Sequence, residues 1–109
     1  MIDVHDDNGC QVIIPKADIV SEISGQLRTK MNDLLNAGKC KKIRFDFSKV
    51  TNLDSEALYV FCLIPDNILN DHNQTSLEII NINSDIANLF KYTHLNKYYH
   101  LSEVKKTIT

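Results

Sequence analysis

The sequence predicts an α/β domain with a mixed, largely parallel sheet, an N-terminal β-hairpin and helices packed on the sheet. Three observations support this. The length of 109 residues suits one domain, so we expect residues 1–109 to fold as a unit. Strand patterns alternate with helical patterns in the order β-β-α-β-α-β-α-β. An Asn-Gly pair, typical of hairpin turns, separates the first two strands.

The hairpin is predicted from two β-rich segments, Ile2–His5 and Cys10–Ile14. The turn between them is Asp6–Gly9, and it contains the Asn-Gly pair. Pro15 is expected to end the second strand, because proline has no N–H to donate to a strand ladder.

The first helix is predicted from Val20 onward, where the apolar period changes from two residues to that of a helix. Asp18 or Ser21 can cap its start, and Gly38 follows its end as a C-terminal glycine should. Its apolar face contains Val20, Ile23, Leu27, Met31, Leu34 and Leu35.

The segment Lys42–Leu58 predicts a strand that runs through a polar turn into the second helix. Ile43, Phe45 and Phe47 alternate with polar residues, which is the period of a strand. Asp54 is a good N-cap, because its carboxylate can accept from N–H groups two and three residues further on.

The second helix contains Pro65, which removes one helical hydrogen bond, so we expect a kink or a restart near Leu63–Asp66. The remaining elements are a strand over Thr75–Ile82, a helix over Asn83–Tyr92 capped by Ser84, a weak strand over Lys97–Leu101, and a short or frayed helix over Ser102–Thr109.

The composition argues against nucleic acid and anionic membranes as partners. The formal net charge is −2, and the densest basic cluster, Lys39–Arg44, is interrupted by Cys40 and Ile43. The acidic N-terminus does not resemble a signal peptide, and the longest apolar run, Leu58–Pro65, is too short to span a bilayer. We therefore expect a soluble, cytoplasmic protein.

Sequence motifs for catalysis or cofactor binding are missing. There is no glycine-rich phosphate loop and no nucleophile elbow, and the three cysteines and four histidines have no metal-ligand spacing. Cys62 is expected to be a small buried apolar residue. Ser55 as a nucleophile would need His72, His94 or His100 beside it. We therefore expect a protein that is not an enzyme and has no cofactor or metal.

The chain resembles a STAS domain, the fold of bacterial anti-sigma-factor antagonists. The resemblance lies in Asp46-Phe47-Ser48, Val50 and the run Leu53-Asp54-Ser55-Glu56-Ala57-Leu58. It extends to Val12–Pro15 before the first helix and to the isoleucines that precede Ser84. The resemblance implies a module that binds protein partners through Asp54, Ser55, Glu56, Ala57 and Leu58.

In that family, a partner kinase phosphorylates the second hydroxyl residue of the motif, and the phosphate adds about −1.5 to −2 charge. Glu56 stands at this position, and Ala57 replaces the glycine that follows it. Three interpretations remain open. Glu56 mimics a weaker, permanent phosphate; Ser55 has become the phosphoacceptor; or the switch is lost and the domain binds constitutively.

The resemblance implies a serine kinase that is also an anti-sigma factor, or a scaffold of related STAS proteins, as the partner. The loop Lys49–Asn52 and the hairpin turn Asp6–Gly9 are expected to form the rim of the interface. An alternative is the small STAS subunit of a lipid-transport ABC complex, where no switch is required. The oligomeric state stays open, and an enzyme or small-ligand binder would need a pocket that the sequence does not indicate.

Overall fold

The computed structural model describes residues 2–37, 41–70 and 75–103. The elements follow the predicted order: β1 Ile2–Asp7, β2 Cys10–Pro15, α1 Glu22–Ala37, β3 Lys42–Asp46, α2 Ser55–Asn70, β4 Ser76–Ile82, α3 Ser84–Tyr92, a 3₁₀ turn Leu95–Lys97, and β5 Tyr99–Glu103.

The five strands form one sheet in the order β1-β2-β3-β4-β5. β1 is antiparallel to β2, and every other pair is parallel, which confirms the mixed, largely parallel sheet. Since the parallel strands are added one after another in the same direction, right-handed crossovers place α1, α2 and α3 on one face of the sheet.

The core between the sheet and the helices is built around five aromatic rings. Their centroids lie 5.0 to 6.4 Å apart in edge-to-face contacts, the geometry that aromatic pairs prefer. The hydroxyl of Tyr99 donates to the carbonyl oxygen of Phe61 at 2.8 Å, and burial raises the pKa of Tyr99 well above its ordinary value. The five rings are those of Phe45, Phe47, Phe61, Phe90 and Tyr99.

The hairpin turn is confirmed. Asn8 and Gly9 have φ angles of 52° and 88°, the left-handed pair that a two-residue hairpin turn requires. The carboxylate of Asp6 accepts from the Gly9 N–H at 3.3 Å and closes the turn.

The start of α3 differs from the prediction. Its cap is Asn83, whose Oδ1 accepts from the Ile86 N–H at 2.8 Å, and Ser84 is already the first helical residue. Asn83 has the extended backbone (φ −78°, ψ 164°) that lets an N-cap side chain turn back over the first turn.

The last strand begins later than predicted. Lys97 closes the 3₁₀ turn, and β5 continues through Ser102 and Glu103, where a helix was expected. Pairing with β4 decides this boundary, because the buried ring of Tyr99 is level with Leu77 in the neighbouring strand. Residues 104–109 and Gly38 lie outside the described residues.

The structure bears on two predictions for α2, at Pro65 and at Cys62. The helix runs from Ser55 to Asn70 with Pro65 inside it, so it does not restart there, and the alternative of a kink stays a prediction. Pro65 and its neighbour Ile64 are buried, and burial of this apolar face offsets the one helical hydrogen bond that proline removes. Cys62 is exposed and not buried, because it lies on the outer face of the helix.

The start of α2 as the candidate functional site

The site lies where β3 passes into α2, at the carboxyl edge of the parallel strands. The connecting loop is attached to both neighbours: the Phe47 N–H donates to Ile80 of β4 at 3.0 Å, and Leu53 forms a parallel bridge with Ile19. Open α/β sheets commonly bind ligands and partners at this edge, because the loops that leave the strands converge there.

Asp54 joins the starts of two helices. As predicted, it caps α2: its Oδ1 accepts from the Ala57 N–H at 2.8 Å. The same carboxylate accepts from the Ser21 N–H and from the Ser24 hydroxyl, each at 2.8 Å. These donors, the Ala57 N–H above all, hold the pKa of Asp54 below its ordinary value. One ionised side chain thus fixes α2 against the first turn of α1.

Asp18, which precedes α1, also connects two segments of the chain, because its carboxylate holds the loop before α2. Its carboxylate accepts from the Thr51 N–H at 2.7 Å, the Thr51 hydroxyl at 2.9 Å and the Asn52 N–H at 3.2 Å. The Thr51 hydrogen bonds lower the pKa of Asp18. Of the two residues predicted to cap α1, Asp18 does not do so, because its carboxylate is occupied by the loop before α2.

Backbone hydrogen bonds connect the same two loops. The Ile19 N–H donates to the Asn52 carbonyl at 3.1 Å, and the Asp54 N–H donates to the Ile19 carbonyl at 3.0 Å. The Asn83 side-chain amide, from the start of α3, donates to the Thr51 carbonyl at 3.3 Å. The loop before α2 is therefore held by both neighbouring helix starts.

The Asp46-Phe47-Ser48 motif has a structural role at the end of β3. The Asp46 carboxylate accepts from the Ser48 N–H and from the Asn81 side-chain amide, each at 3.0 Å. Burial raises the pKa of Asp46, but these hydrogen bonds outweigh the effect and the pKa is lowered. Phe47 is buried in the aromatic core, so the motif starts the loop at a fixed position.

The predicted binding segment divides into exposed and buried residues. Ser55 and Glu56 are exposed in the first turn of α2, and Leu58 is half-buried. Ala57 has no exposed surface and belongs to the core, which corrects its inclusion among surface contacts. We call Ser55, Glu56, Leu58 and Tyr59 the α2-start surface.

Tyr59 is the member of the α2-start surface that the sequence did not reveal. Its side chain is 56% exposed, and it lies on the same helix face as Ser55 four residues earlier. The sequence offered one signal for Tyr59, an aromatic residue between the inward positions Leu58 and Phe61. The apolar pattern by itself would place such a residue in the core.

Of the two segments predicted to form the rim, one lies beside the α2-start surface and the other does not. Lys49, Thr51 and Asn52 are exposed beside the α2-start surface. The hairpin turn Asp6–Gly9 lies away from that surface. Cys10, which follows the turn, pairs with Lys42 at the beginning of β3, whereas α2 follows the end of β3. The two ends of β3 are about 13 Å apart at ~3.3 Å per residue. The loop that carries Asp18 takes the place of the hairpin turn.

Within residues 2–37, 41–70 and 75–103, no three His, Cys, Asp or Glu side chains are grouped to hold a metal ion. In those ranges Ser55 has no hydrogen bond to His94 or His100, and His72 lies outside them. No helix in the described part of the chain is long and apolar enough to cross a membrane.

The hairpin, the strand order and the capped start of α2 together define one class of small α/β domain. The sequence model of the STAS domain matches residues 1–108. The chain therefore belongs to the STAS domain family, as the resemblance predicted.

Solved structures share this fold at low sequence identity. The phosphorylated form of the Bacillus cell fate determinant SpoIIAA is 14% identical, with a TM-score of 0.72 over 94% of this chain and 91% of that one. An anti-sigma-factor antagonist (STAS) domain protein from Planctomyces limnophilus is 15% identical, with a TM-score of 0.79 over 96% and 92%.

A third neighbour comes from a different functional setting. A sulfate transporter family protein from Wolinella succinogenes is 7% identical, with a TM-score of 0.68 over 90% of this chain and 80% of that one. No curated protein sequence matches the chain. At these identities the solved neighbours establish the fold.

Proposed function

We propose that this chain is a regulator that resembles anti-sigma-factor antagonists and binds a protein partner through the α2-start surface. Membership of the STAS family and the SpoIIAA neighbour support this role. The observation that carries it is the set of hydrogen bonds that Asp54 accepts from Ser21 and Ser24, which we call the Asp54 clamp. It holds the start of α2 in place, and the exposed side chains of Ser55, Glu56 and Tyr59 lie there. A surface held in place before binding loses little conformational entropy when a partner docks.

The side chains of the α2-start surface suit a protein partner. Tyr59 offers a large aromatic area with a polar end, the kind of group enriched in interface cores. Glu56 and Ser55 next to it supply charge and hydrogen bonding that select among partners. We propose a serine kinase that is also an anti-sigma factor, or a scaffold of related STAS proteins, as the partner.

The phosphorylation switch is altered or lost in this proposal. Glu56 occupies the position at which the family carries its phosphoacceptor, and it contributes one constant charge in place of a reversible one. Ser55 is exposed at the first helical position, so a kinase could reach its hydroxyl. A phosphate there would be favoured by the α2 N-terminus but opposed by the neighbouring carboxylates of Asp54 and Glu56.

The test is partner capture with the full chain as bait, comparing the wild type with Glu56→Lys. Glu22→Lys is the matched control, since Glu22 is the exposed first-turn acid of the other clamped helix, α1. Captured proteins are identified by mass spectrometry, and their affinities for the three baits are then measured with purified components. We expect Glu56→Lys alone to lose the partner; equal capture by all three baits would rule out this surface as the interface.

A second candidate function is that of a small STAS subunit in a lipid-transport ABC complex. Glu56 favours it, because such a subunit needs no reversible hydroxyl. The same capture experiment separates the two functions. An ATPase and its membrane subunits support the transport complex, and a serine kinase or sigma-factor system supports the regulator.

A further inference from the structure

We propose that the free edge of β1, together with a groove between β1 and α1, binds an extended segment of a partner protein that carries apolar residues on one face and lysine or arginine on the other. This interface is separate from the α2-start surface. Within the described residues, β1 pairs only with β2, so its other edge presents unpaired N–H and C=O groups. An extended segment can pair with such an edge and continue the sheet by one strand.

An open groove of about 790 Å³ lies between β1 and α1, and we call it the β1–α1 groove. Its volume is in the range of pockets that hold ligands. Ile2 lines it from β1, and Gly25 and Thr29 line it from α1. Lys30 and Asp33 also line the α1 side with opposite charges, so that wall has no net charge. Because α1 lies on the helical face of the sheet, the inward side chains of an added strand would enter this groove.

Gly25 marks the groove as a place where another molecule can approach closely. Glycine inside a helix is less favourable than alanine. A Cβ at Gly25 would have no heavy atom of the described structure within 4 Å outside its own turn of helix, and its φ is not left-handed. Neither packing nor backbone conformation in the described part of the chain therefore requires glycine. Glycine is used where a backbone must come close to a ligand, and here it keeps the groove open.

The side chains of β1 alternate between the two faces of the sheet. Ile2 pairs with Pro15 and Val4 pairs with Ile13, and both partners are buried on the helical face. Val4 itself is 36% exposed. A strand added at this edge would cover Val4 with its own apolar side chains, and these would point towards α1.

The opposite face of β1 is acidic and selects the charge of the segment. Asp3 and Asp7 lie there with His5 between them, and β1 contains no lysine or arginine. Asp3 forms an ion pair with Lys16 at 3.1 Å, whereas Asp7 has no ion pair within the described residues. Lysine or arginine side chains on an added strand would lie beside these acids, and cross-strand pairs of opposite charge are stabilising.

The same charges disfavour a second copy of this chain as the occupant. Pairing β1 with the β1 of another copy would bring the aspartates of both strands together, and like charges on neighbouring strands are destabilising. The edge strand β5 has no lysine or arginine and ends on exposed Glu103, so it offers no ammonium or guanidinium group to Asp3 and Asp7. A partner segment with alternating apolar and basic residues meets both faces of the edge.

The experiment is an NMR titration of the nitrogen-15-labelled full chain with a synthetic peptide of the same length as β1, 6 residues, that alternates valine and lysine. We expect the amide signals of β1, Gly25 and Thr29 to shift and to saturate as the peptide is added. A peptide that alternates valine and glutamate is the control for charge, and it should bind roughly tenfold more weakly or less.

Two substitutions fill the groove and leave the backbone of β1 unchanged. Gly25→Leu and Thr29→Leu should each weaken binding of the valine-lysine peptide about tenfold, because the leucine occupies the space of an inward valine. Gly25→Leu should keep or raise the melting temperature, since leucine is the better helix former and has free space there. Asn88→Leu, at an exposed position of α3, is the matched control and should bind as the wild type does.

Three results would overturn the proposal. The β1 signals could stay unshifted at millimolar peptide, the glutamate peptide could bind as tightly as the lysine peptide, or both groove variants could bind like the wild type. Signals of β1 that shift with protein concentration in the absence of peptide would identify a second copy as the occupant, and this outcome also contradicts a partner segment.

Discussion

The Ser24 hydroxyl donates to Oδ1 of Asp54 at 2.8 Å, and this contact links the first turn of α1 to the first turn of α2. Ser24 is fully buried, and the Ile19 carbonyl also lies 3.3 Å from its hydroxyl. The residues are 30 positions apart in the chain. The surface proposed to bind a partner therefore depends on a contact that is hidden beneath it.

Replacing Ser24 with alanine should destabilise the fold by about 1 kcal/mol, the usual net value of one buried hydrogen bond. Asp54 would lose one of its three donors but keep the backbone N–H groups of Ser21 and Ala57. The free energy of unfolding in urea measures the effect. Thr29→Ala is the control, since the exposed Thr29 hydroxyl donates to the Gly25 carbonyl oxygen four residues earlier in the same helix. Equal losses in both variants would contradict a special role for the link between Ser24 and Asp54.

Asp54→Ala should cost more stability than an ordinary N-cap removal of about 1 kcal/mol, because the carboxylate serves α1 as well as α2. Asp54→Asn keeps an oxygen for the Ala57 N–H and should fall between the wild type and Asp54→Ala. Chemical unfolding gives the ranking. Asp85→Ala, which changes an exposed first-turn acid of α3 that is not the cap, should cost clearly less.

The stability of the fold should decrease on acidification because of Asp18 and Asp54. Both have pKa values lowered by hydrogen bonds in the folded protein. Their stabilising effect is therefore fully present above the unfolded pKa of about 3.9, and it is lost as the pH falls from there through the lower folded value. Unfolding free energies measured from pH 7 to pH 2 should show this decline.

Asp18→Asn tests the origin of that decline. The variant removes one titrating carboxylate, so its stability should change less steeply with pH below about 4 than that of the wild type. Asp33→Asn, at an exposed position of α1, is the control for the removal of one charge from the chain. An unaltered slope in Asp18→Asn would mean that other acids, such as Glu78 beside Lys42, dominate.

Phosphorylation of the α2 start tests whether Ser55 has become the phosphoacceptor. Incubation with the captured kinase and ATP, followed by phosphopeptide mapping, should label Ser55 only if Ser55 has become the acceptor. Glu56→Ser restores a hydroxyl at the family position and should become labelled there if the kinase still recognises this surface. Ser55→Ala/Glu56→Ser distinguishes the two hydroxyls. A Glu56→Ser protein that binds the kinase but is never labelled would contradict a switch lost by this substitution alone.

Local signals account for most of the fold. Asn8-Gly9 predicted the hairpin turn because few residues adopt its left-handed backbone at so little cost. Alternating Ile43 and Phe45 predicted β3, and Asp54 predicted the start of α2, because strand period and N-capping act over only a few residues. Boundaries that depend on strand pairing are not encoded locally: the pattern predicts the last strand from Lys97, but β5 begins at Tyr99.

The sequence by itself determined the order of the elements, the capped start of α2 and the family resemblance, because these depend on short-range patterns. Only the tertiary structure decided that Asp18 serves the loop of Thr51, that Asp54 joins α1 to α2, and that the hairpin turn lies at the far end of the sheet. Such contacts join residues about 30 positions apart. Their partners are chosen by strand register and by where the crossovers bring the loops, and no local pattern contains that information.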